Sequence, residues 1–165
     1  MTRLRQGELL ALRWQDLDVA ALKVRVRRAF VRGEFKEPKS VRGSRGVPMA
    51  TELERALSAL RAVSNFTAEE DLVFAHPFTG GPLVRSVVRR RFQRACRRAG
   101  VRIVRFHDLR HTFGTRIAAS GEVSLRTLQE WMGHRDATTT LIYADYQPSE
   151  HEAQIVSRAF GMRER

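Results

Sequence analysis

The sequence predicts an α+β fold that is mostly helical, with a small antiparallel β-sheet near the N-terminus. Residues 20–31 alternate apolar and basic side chains, which is typical of a half-buried strand. From residue 51 onward, apolar side chains recur at helical spacing in successive segments, several of which end at a glycine. The length of 165 residues suits one domain with its own hydrophobic core.

The elements before residue 50 are short. We predict a helix over residues 7–14, where leucines supply an apolar side, followed by strands over 20–31, 35–39 and 47–49. Pro48 places the last strand at an edge of the sheet or at a strand end, because proline donates no backbone hydrogen bond. These three strands are expected to form one sheet.

The rest of the chain is predicted to be helical, over residues 51–63, 84–99, 108–120, 124–132 and 149–160. Thr51 and Glu54 have the spacing of a capping box, and Ser124 opens the fourth of these helices. Glycines follow the second, third and fourth helices directly and are expected to end them, at Gly100, Gly121 and Gly133.

The charge of the chain favours a polyanionic partner. Thirty basic residues against eighteen acidic ones give a formal net charge of +12, and nucleic acid is the first candidate for such a surface. No acidic residue occurs between Asp71 and Asp108, where arginines are concentrated. Six of these arginines are predicted to contact DNA phosphates: Arg85, Arg89, Arg90, Arg94, Arg97 and Arg98. The plainer interpretation is a solvated basic surface.

Several classes of site are excluded by composition. The single cysteine, Cys96, permits neither an internal disulfide nor a cysteine-cluster metal site. The sequence has no phosphate-binding glycine loop, no histidine pair at zinc spacing and no acidic triad, so no metal or cofactor is expected. No apolar run reaches the length of a membrane span and no secretory signal opens the chain, so a cytoplasmic location without membrane contact is expected.

Chemically useful residues are concentrated between His107 and Tyr143. His107 and Arg110 stand three residues apart, His134 follows Gly133, and Tyr143 lies nine residues after His134. Upstream, Arg5 lies in the segment Leu4-Arg5-Gln6-Gly7-Glu8-Leu9. Lys39, one of only three lysines, lies in Pro38-Lys39-Ser40, shortly before Ser44-Arg45-Gly46-Val47-Pro48.

In order and spacing, this set resembles the tyrosine recombinase (phage integrase) family, with Met132 in place of the usual leucine. The resemblance covers essentially the whole chain. It implies a DNA breaking–rejoining catalytic domain over residues 1–165, without the N-terminal core-binding domain and without the first helix of the catalytic domain. It further implies site-specific recombination or integration of double-stranded DNA, with self-association as a tetramer on DNA in the full-length protein, at the nucleoid.

The resemblance also gives each residue a role that suits its chemistry. Arg5 and Arg110 would clamp the phosphate, since a planar guanidinium matches two phosphate oxygens. Tyr143 would attack the phosphorus, with His107 as the candidate for its proton, because an ordinary tyrosine pKa is about 10. His134 would hold the phosphate by a hydrogen bond. Lys39 would protonate the leaving 5′ oxygen, which an arginine does not do because it keeps its proton.

Two other functions remain open from the sequence alone. A type IB topoisomerase shares the tyrosine nucleophile and the arginine clamp, although the short spacing from His134 to Tyr143 fits recombinases better. A truncated DNA-binding remnant is the non-enzymatic alternative, because the chain starts close to Arg5 and Arg3 stands where family members usually carry glycine. Tyr146 is the alternative nucleophile. The helix over 149–160 is expected to pack either into a neighbouring protomer or onto its own domain.

Overall fold

The computed structural model describes residues 4–37, 44–134, 136 and 138–142. Within that part of the chain the helices are α1 (Gln6–Leu10), α2 (Thr51–Ala62), α3 (Arg85–Arg98), α4 (Phe106–Ala119), α5 (Leu125–Met132) and α6 (Thr138–Leu141). The strands are β1 (Leu17–Asp18), β2 (Lys23–Val26), β3 (Ala29–Val31), β4 (Glu34–Lys36) and β5 (Arg45–Pro48). The predicted α+β architecture is confirmed. Lys39, Tyr143, Tyr146 and the helix predicted over 149–160 lie outside the described residues.

The strands form two antiparallel sheets and not the single sheet that we predicted. One has the order β1-β2-β5, with Val24 opposite Val47, and the other is the hairpin β3-β4. The strand predicted over residues 20–31 is therefore two strands in different sheets. Its alternation of buried and exposed residues ends after Val26, because Arg27 and Arg28 are adjacent charged residues that both face the carboxylate of Asp16, at 3.9 Å and 3.1 Å.

The first helix is shorter than predicted. It ends at Leu10, because the following backbone pairs with a later segment of the chain: the amide of Val73 donates to the carbonyl of Leu12 over 2.9 Å, and the amide of Trp14 to that of Asp71 over 3.1 Å. Trp14 starts a short 3₁₀ helix and is buried, with its indole N–H donating to a backbone carbonyl.

The predicted caps are confirmed at both ends of α5 but not at the start of α2. Ser124 accepts a hydrogen bond from the amide of Thr127 over 3.1 Å, as predicted, and Gly133 ends α5 with a φ of 60°. The capping box predicted at Thr51 is wrong, because Ala50 is the N-cap residue and the carboxylate of Glu54 accepts from Ser58 instead. Helix α6 was not predicted. Its first amide, that of Thr138, donates to Asp136 over 3.0 Å.

The main hydrophobic core lies between the three-stranded sheet and the helices α1 and α2. Its buried members are Leu4, Leu12, Trp14, Val24, Val26, Val47, Met49, Leu57 and Val73. A second cluster, built on Leu128 and Met132 of α5, packs against α4. Helix α3 is joined to α4 by an edge-to-face contact of Phe92 with Phe106, whose ring centres lie 5.7 Å apart. None of the described helices is long and apolar enough to cross a membrane.

Candidate active site

Three arginines donate hydrogen bonds to three consecutive carbonyl oxygens at the C-terminal end of α5. The Nε of Arg45 donates to Trp131 over 3.2 Å, Arg110 donates through an Nη atom to Met132, and the Nη2 of Arg5 donates to Gly133 over 2.9 Å. The last carbonyls of a helix have no partner within the helix and carry its partial negative charge. This end of α5 therefore gathers guanidinium groups from three separate elements.

Gly133 has two properties that the cluster requires. Its φ of 60° lies in the left-handed region, where residues with a side chain are strained. In addition, a Cβ atom at this position would lie 2.8 Å from the guanidinium carbon of Arg45. The absence of a side chain thus lets the chain turn after α5 and lets Arg45 approach the turn closely.

A buried carboxylate, that of Glu8, joins two of the arginines. Its Oε1 accepts from the Nη1 of Arg5 over 3.0 Å and from the Nη1 of Arg45 over 3.1 Å. Its Oε2 accepts from the backbone amide of Arg5 over 2.9 Å and from the Nη2 of Arg45 over 2.7 Å. Burial raises the pKa of this carboxyl, but the hydrogen bonds and charges of Arg45 and Arg5 outweigh burial and hold the pKa below its ordinary value.

His134 follows the arginine cluster directly, and its imidazole is neutral at physiological pH. Burial, followed by the positive charges of Arg110, Arg5 and Arg45, lowers its pKa to about 4. Its Nδ1 lies 2.9 Å from the hydroxyl of Thr140, which is itself buried. This contact with Thr140 fixes the orientation of the imidazole ring.

His107 lies on α4, on the turn before Arg110. Its ring packs edge-to-face on that of His111, with the ring centres 4.7 Å apart. Partial burial, together with the charges of His111 and Arg110, lowers the pKa of His107. Arg110 itself is buried, with 4% of its surface exposed, whereas 48% of the Arg5 side chain is exposed. The two guanidiniums thus approach the turn from the interior and from the surface.

The six predicted catalytic residues are brought together in part. Arg5, Arg110 and His134 converge on the turn after α5, and His107 adjoins them through Arg110 on the same helix. Lys39 and Tyr143 lie outside the described residues, so their positions remain predictions.

Three residues with a clear place at the site were not singled out from the sequence: Glu8, Arg45 and Thr140. Glu8 had a signal, since it is the only acidic residue before Asp16 and stands three positions after Arg5. Thr140, buried and bonded to His134, belongs to a run of three threonines with no such signal. Arg45 is one arginine among many, and only the fold reveals that it is buried.

The six arginines predicted to contact DNA all lie on α3 and are exposed. Only two of them, Arg85 and Arg89, line a groove that runs between α3 and the start of α4 and that also includes Gln6 and His107. The remaining four point to other sides of the helix.

In the part of the chain that the structure describes, no group of three or more histidine, cysteine, aspartate or glutamate side chains is arranged to hold a metal ion.

Comparison with known proteins gives consistent matches. The model of the phage integrase family matches residues 1–150. A "Tyrosine recombinase XerC-like" protein of Caldanaerobacter subterraneus is 30% identical over 90% of this chain and 44% of its own length. A "Putative prophage phiRv2 integrase" of Mycobacterium tuberculosis is 37% identical over 85% of this chain and 38% of its own length. The chain therefore spans less than half the length of these relatives.

The fold has close counterparts among solved structures. The Tn1549 transposon integrase in complex with circular intermediate DNA superposes with a TM-score of 0.76 at 25% identity, over 96% of this chain and 56% of that one. The XerA recombinase superposes with a TM-score of 0.69 at 24% identity, over 99% of this chain and 55% of that one. The second likeness concerns the fold alone.

Proposed function

Because this chain belongs to the phage integrase family, we propose that it cleaves and rejoins DNA at specific sites through a covalent bond between Tyr143 and a DNA phosphate. The observation that carries the proposal is the meeting of Arg5, Arg110 and His134 at the turn after α5, although Arg5 and Gly133 are 128 positions apart in the chain. Such a set is suited to binding one phosphate from several sides.

The charge that develops on the phosphate determines which groups are useful. Attack on phosphorus builds negative charge on the two non-bridging oxygens, and preorganised cationic donors stabilise it. The half-exposed guanidinium of Arg5 offers donors from the surface, and the buried Arg110 adds its charge from the interior. In the tautomer in which Thr140 donates to Nδ1, a neutral His134 carries its proton on Nε2 and would donate it to a phosphate oxygen.

The remaining steps are assigned to residues by chemistry and by family resemblance. The phenolic oxygen of Tyr143 attacks the phosphorus and gives its proton to His107, whose lowered pKa keeps it neutral and able to accept. The bond to the 5′ oxygen breaks as Lys39 protonates that oxygen. Rejoining is the reverse: a 5′ hydroxyl attacks the phosphotyrosine, and the phenol leaves with its proton restored.

Double-stranded DNA is the proposed partner. The structurally similar Tn1549 integrase was solved in complex with DNA, and this chain carries a formal charge of +12. We further propose that residues 1–165 act as one catalytic domain, that the full-length protein assembles as a tetramer on DNA, and that it acts on the nucleoid in the cytoplasm.

The test is to trap the covalent intermediate. The chain is incubated, in buffer containing EDTA, with a pool of nicked duplexes of randomised central sequence, in which the broken end diffuses away after cleavage. We expect an adduct that survives denaturing electrophoresis. It should be absent with Tyr143→Phe and retained with the control Tyr146→Phe. An adduct that persists in Tyr143→Phe, or that forms only with added magnesium, would contradict the proposed mechanism.

A further inference from the structure

Arg45 has a buried side chain at the candidate site, although no role has been assigned to it so far. Only 7% of its side chain is exposed. Its Nη1 and Nη2 donate to the two carboxylate oxygens of Glu8, over 3.1 Å and 2.7 Å, and its Nε donates to the carbonyl of Trp131 over 3.2 Å. All three guanidinium nitrogens are thus used to join α1 to the end of α5.

We propose that Arg45 is a positioning residue for strand cleavage, which sets the separation between the helix that carries Arg5 and the turn that carries His134. The inference rests on the function proposed above. It goes beyond that function because Arg45 is assigned no contact with the phosphate, with Tyr143 or with the leaving oxygen, and instead holds Glu8 and the end of α5 in place.

The contacts of Arg5 explain why one residue has this influence. The side chain of Arg5 is held by two acceptors, the carboxylate of Glu8 and the carbonyl of Gly133. Arg45 binds the carboxylate of Glu8 directly. It also binds the carbonyl of Trp131, two residues before Gly133, and so holds the turn that carries the second acceptor. Loss of Arg45 therefore loosens both supports of Arg5 at once. The same turn continues into His134, so the backbone that places the imidazole is loosened as well, although the contact of the ring with Thr140 remains.

The geometry requires an arginine at this position. A carboxylate and a backbone carbonyl are bridged by a planar fork with donors on three nitrogens, whereas a lysine ammonium is a single point of charge. The space for the fork is provided by Gly133, whose missing side chain leaves the guanidinium carbon within 2.8 Å of where a Cβ would lie. Arg45→Lys keeps the buried charge beside Glu8 but cannot span both acceptors.

The experiment separates positioning from folding and from DNA binding. Single-turnover adduct formation and DNA affinity are measured for Arg45→Lys and Arg45→Ala. The matched control is Arg25→Ala, which removes an arginine from the neighbouring strand, where it is half exposed and pairs with Asp18. We expect both Arg45 variants to lose about 10²-fold in rate, since small misplacements at a reacting centre have effects of that size. Affinity should change little, and the control should keep its rate.

Two further readouts make the result decisive. Millimolar guanidinium should restore part of the rate of Arg45→Ala, relative to the same concentration of sodium chloride, and should leave Arg25→Ala unaffected. A crystal structure of Arg45→Lys should show that the hydrogen bond from Arg5 to Gly133 is broken. If that bond is retained, or if folded Arg45 variants cleave at the wild-type rate, the inference is wrong. Failure of the wild-type chain to form any adduct would instead count against the proposed function. In that case the Arg5–Gly133 hydrogen bond in the crystal structure of Arg45→Lys still tests the positioning role of Arg45.

Discussion

The Nη2 of Arg5 donates a hydrogen bond of 2.9 Å to the carbonyl oxygen of Gly133, a residue 128 positions later in the chain. The bond joins the first helix to the turn that precedes His134. Arg5 is half exposed, in contrast to Arg45 and Arg110, so it is the guanidinium of the cluster that a ligand reaches from solvent.

Arg5→Lys should lower the rate of adduct formation by about 10²–10³-fold, as removal of a preorganised donor does at comparable centres. A lysine keeps the charge but cannot bind Glu8 and Gly133 together, so DNA affinity should change far less than the rate. Arg55→Lys, on the exposed side of α2, is the control. Equal losses of affinity and rate would show that Arg5 serves DNA binding only.

Gly133→Ala should destabilise the fold more than the matched change Gly121→Ala. Both glycines have a positive φ, of 60° and 68°, so both variants acquire backbone strain of about 1–2 kcal/mol. Nothing lies within 4 Å of a Cβ at Gly121, whereas one at Gly133 meets the guanidinium of Arg45 at 2.8 Å. Denaturant unfolding of the two variants measures the difference. Equal losses of unfolding free energy would mean that Arg45 moves aside without cost.

The stability of the fold should fall when the pH is lowered through the range in which His134 titrates. The pKa of His134 is about 4 in the folded chain, against an ordinary value of 6.5, so the unfolded chain binds the proton first. This contribution is fully present above pH 6.5 and is lost as the pH falls toward 4. The lowered pKa of His107 acts in the same direction. Denaturant unfolding against pH should show a shallower acid slope for His134→Asn, and an unchanged slope would contradict the assignment.

Thr140→Val should slow adduct formation by about tenfold, the equivalent of one hydrogen bond. Valine has nearly the same shape but removes the hydroxyl that lies 2.9 Å from the Nδ1 of His134. Thr140→Ser should retain most of the rate. The control is Thr139→Val, at an exposed position of the same helix. Nitrogen chemical shifts of the His134 ring report its tautomer, and a rate loss without a change in those shifts would assign Thr140 a role in packing alone.

The arginines of α3 should differ in their contribution to DNA binding. The double variant Arg85→Gln/Arg89→Gln removes the two that line the groove beside His107. It should flatten the dependence of log affinity on log salt concentration by about 0.9 for each DNA phosphate that the variant no longer neutralises. Arg94→Gln/Arg98→Gln removes the same charge from other sides of the helix and should change the slope less. Equal slopes for the two variants would show that the groove is not the DNA-binding surface.

Local signals in the sequence were sufficient at α5, whereas the capping box predicted at Thr51 and Glu54 is not formed. Helix α5 was predicted at both ends, because Ser124 and Gly133 act on the backbone within a few residues of themselves. The division of the strands into two sheets was missed, since it depends on the attraction of Arg27 and Arg28 to Asp16 across a turn.

The candidate site shows the same division between local and distant interactions. The meeting of Arg5, Arg110 and His134 follows from a resemblance in motif order and could be expected before the structure. The place of Arg45 could not, because its partners, Glu8 and Trp131, lie 37 and 86 positions away. Nothing in the sequence distinguishes this buried arginine from the exposed ones on α3.

The bonds at the end of α5 also have a consequence for the order of folding. The buried members of the core around the three-stranded sheet all lie within the first 73 residues, whereas the bonds from Arg5 to Gly133 and from Arg45 to Trp131 form only when α5 is present. Contacts between such distant parts of the chain form slowly, because a long loop must first be closed. During synthesis, which proceeds from the N-terminus, the core of the first half of the chain therefore precedes the contacts of Arg5 and Arg45 with α5. If the chain has the activity proposed above, the site that would cut DNA is thus among the last parts of the fold to be completed.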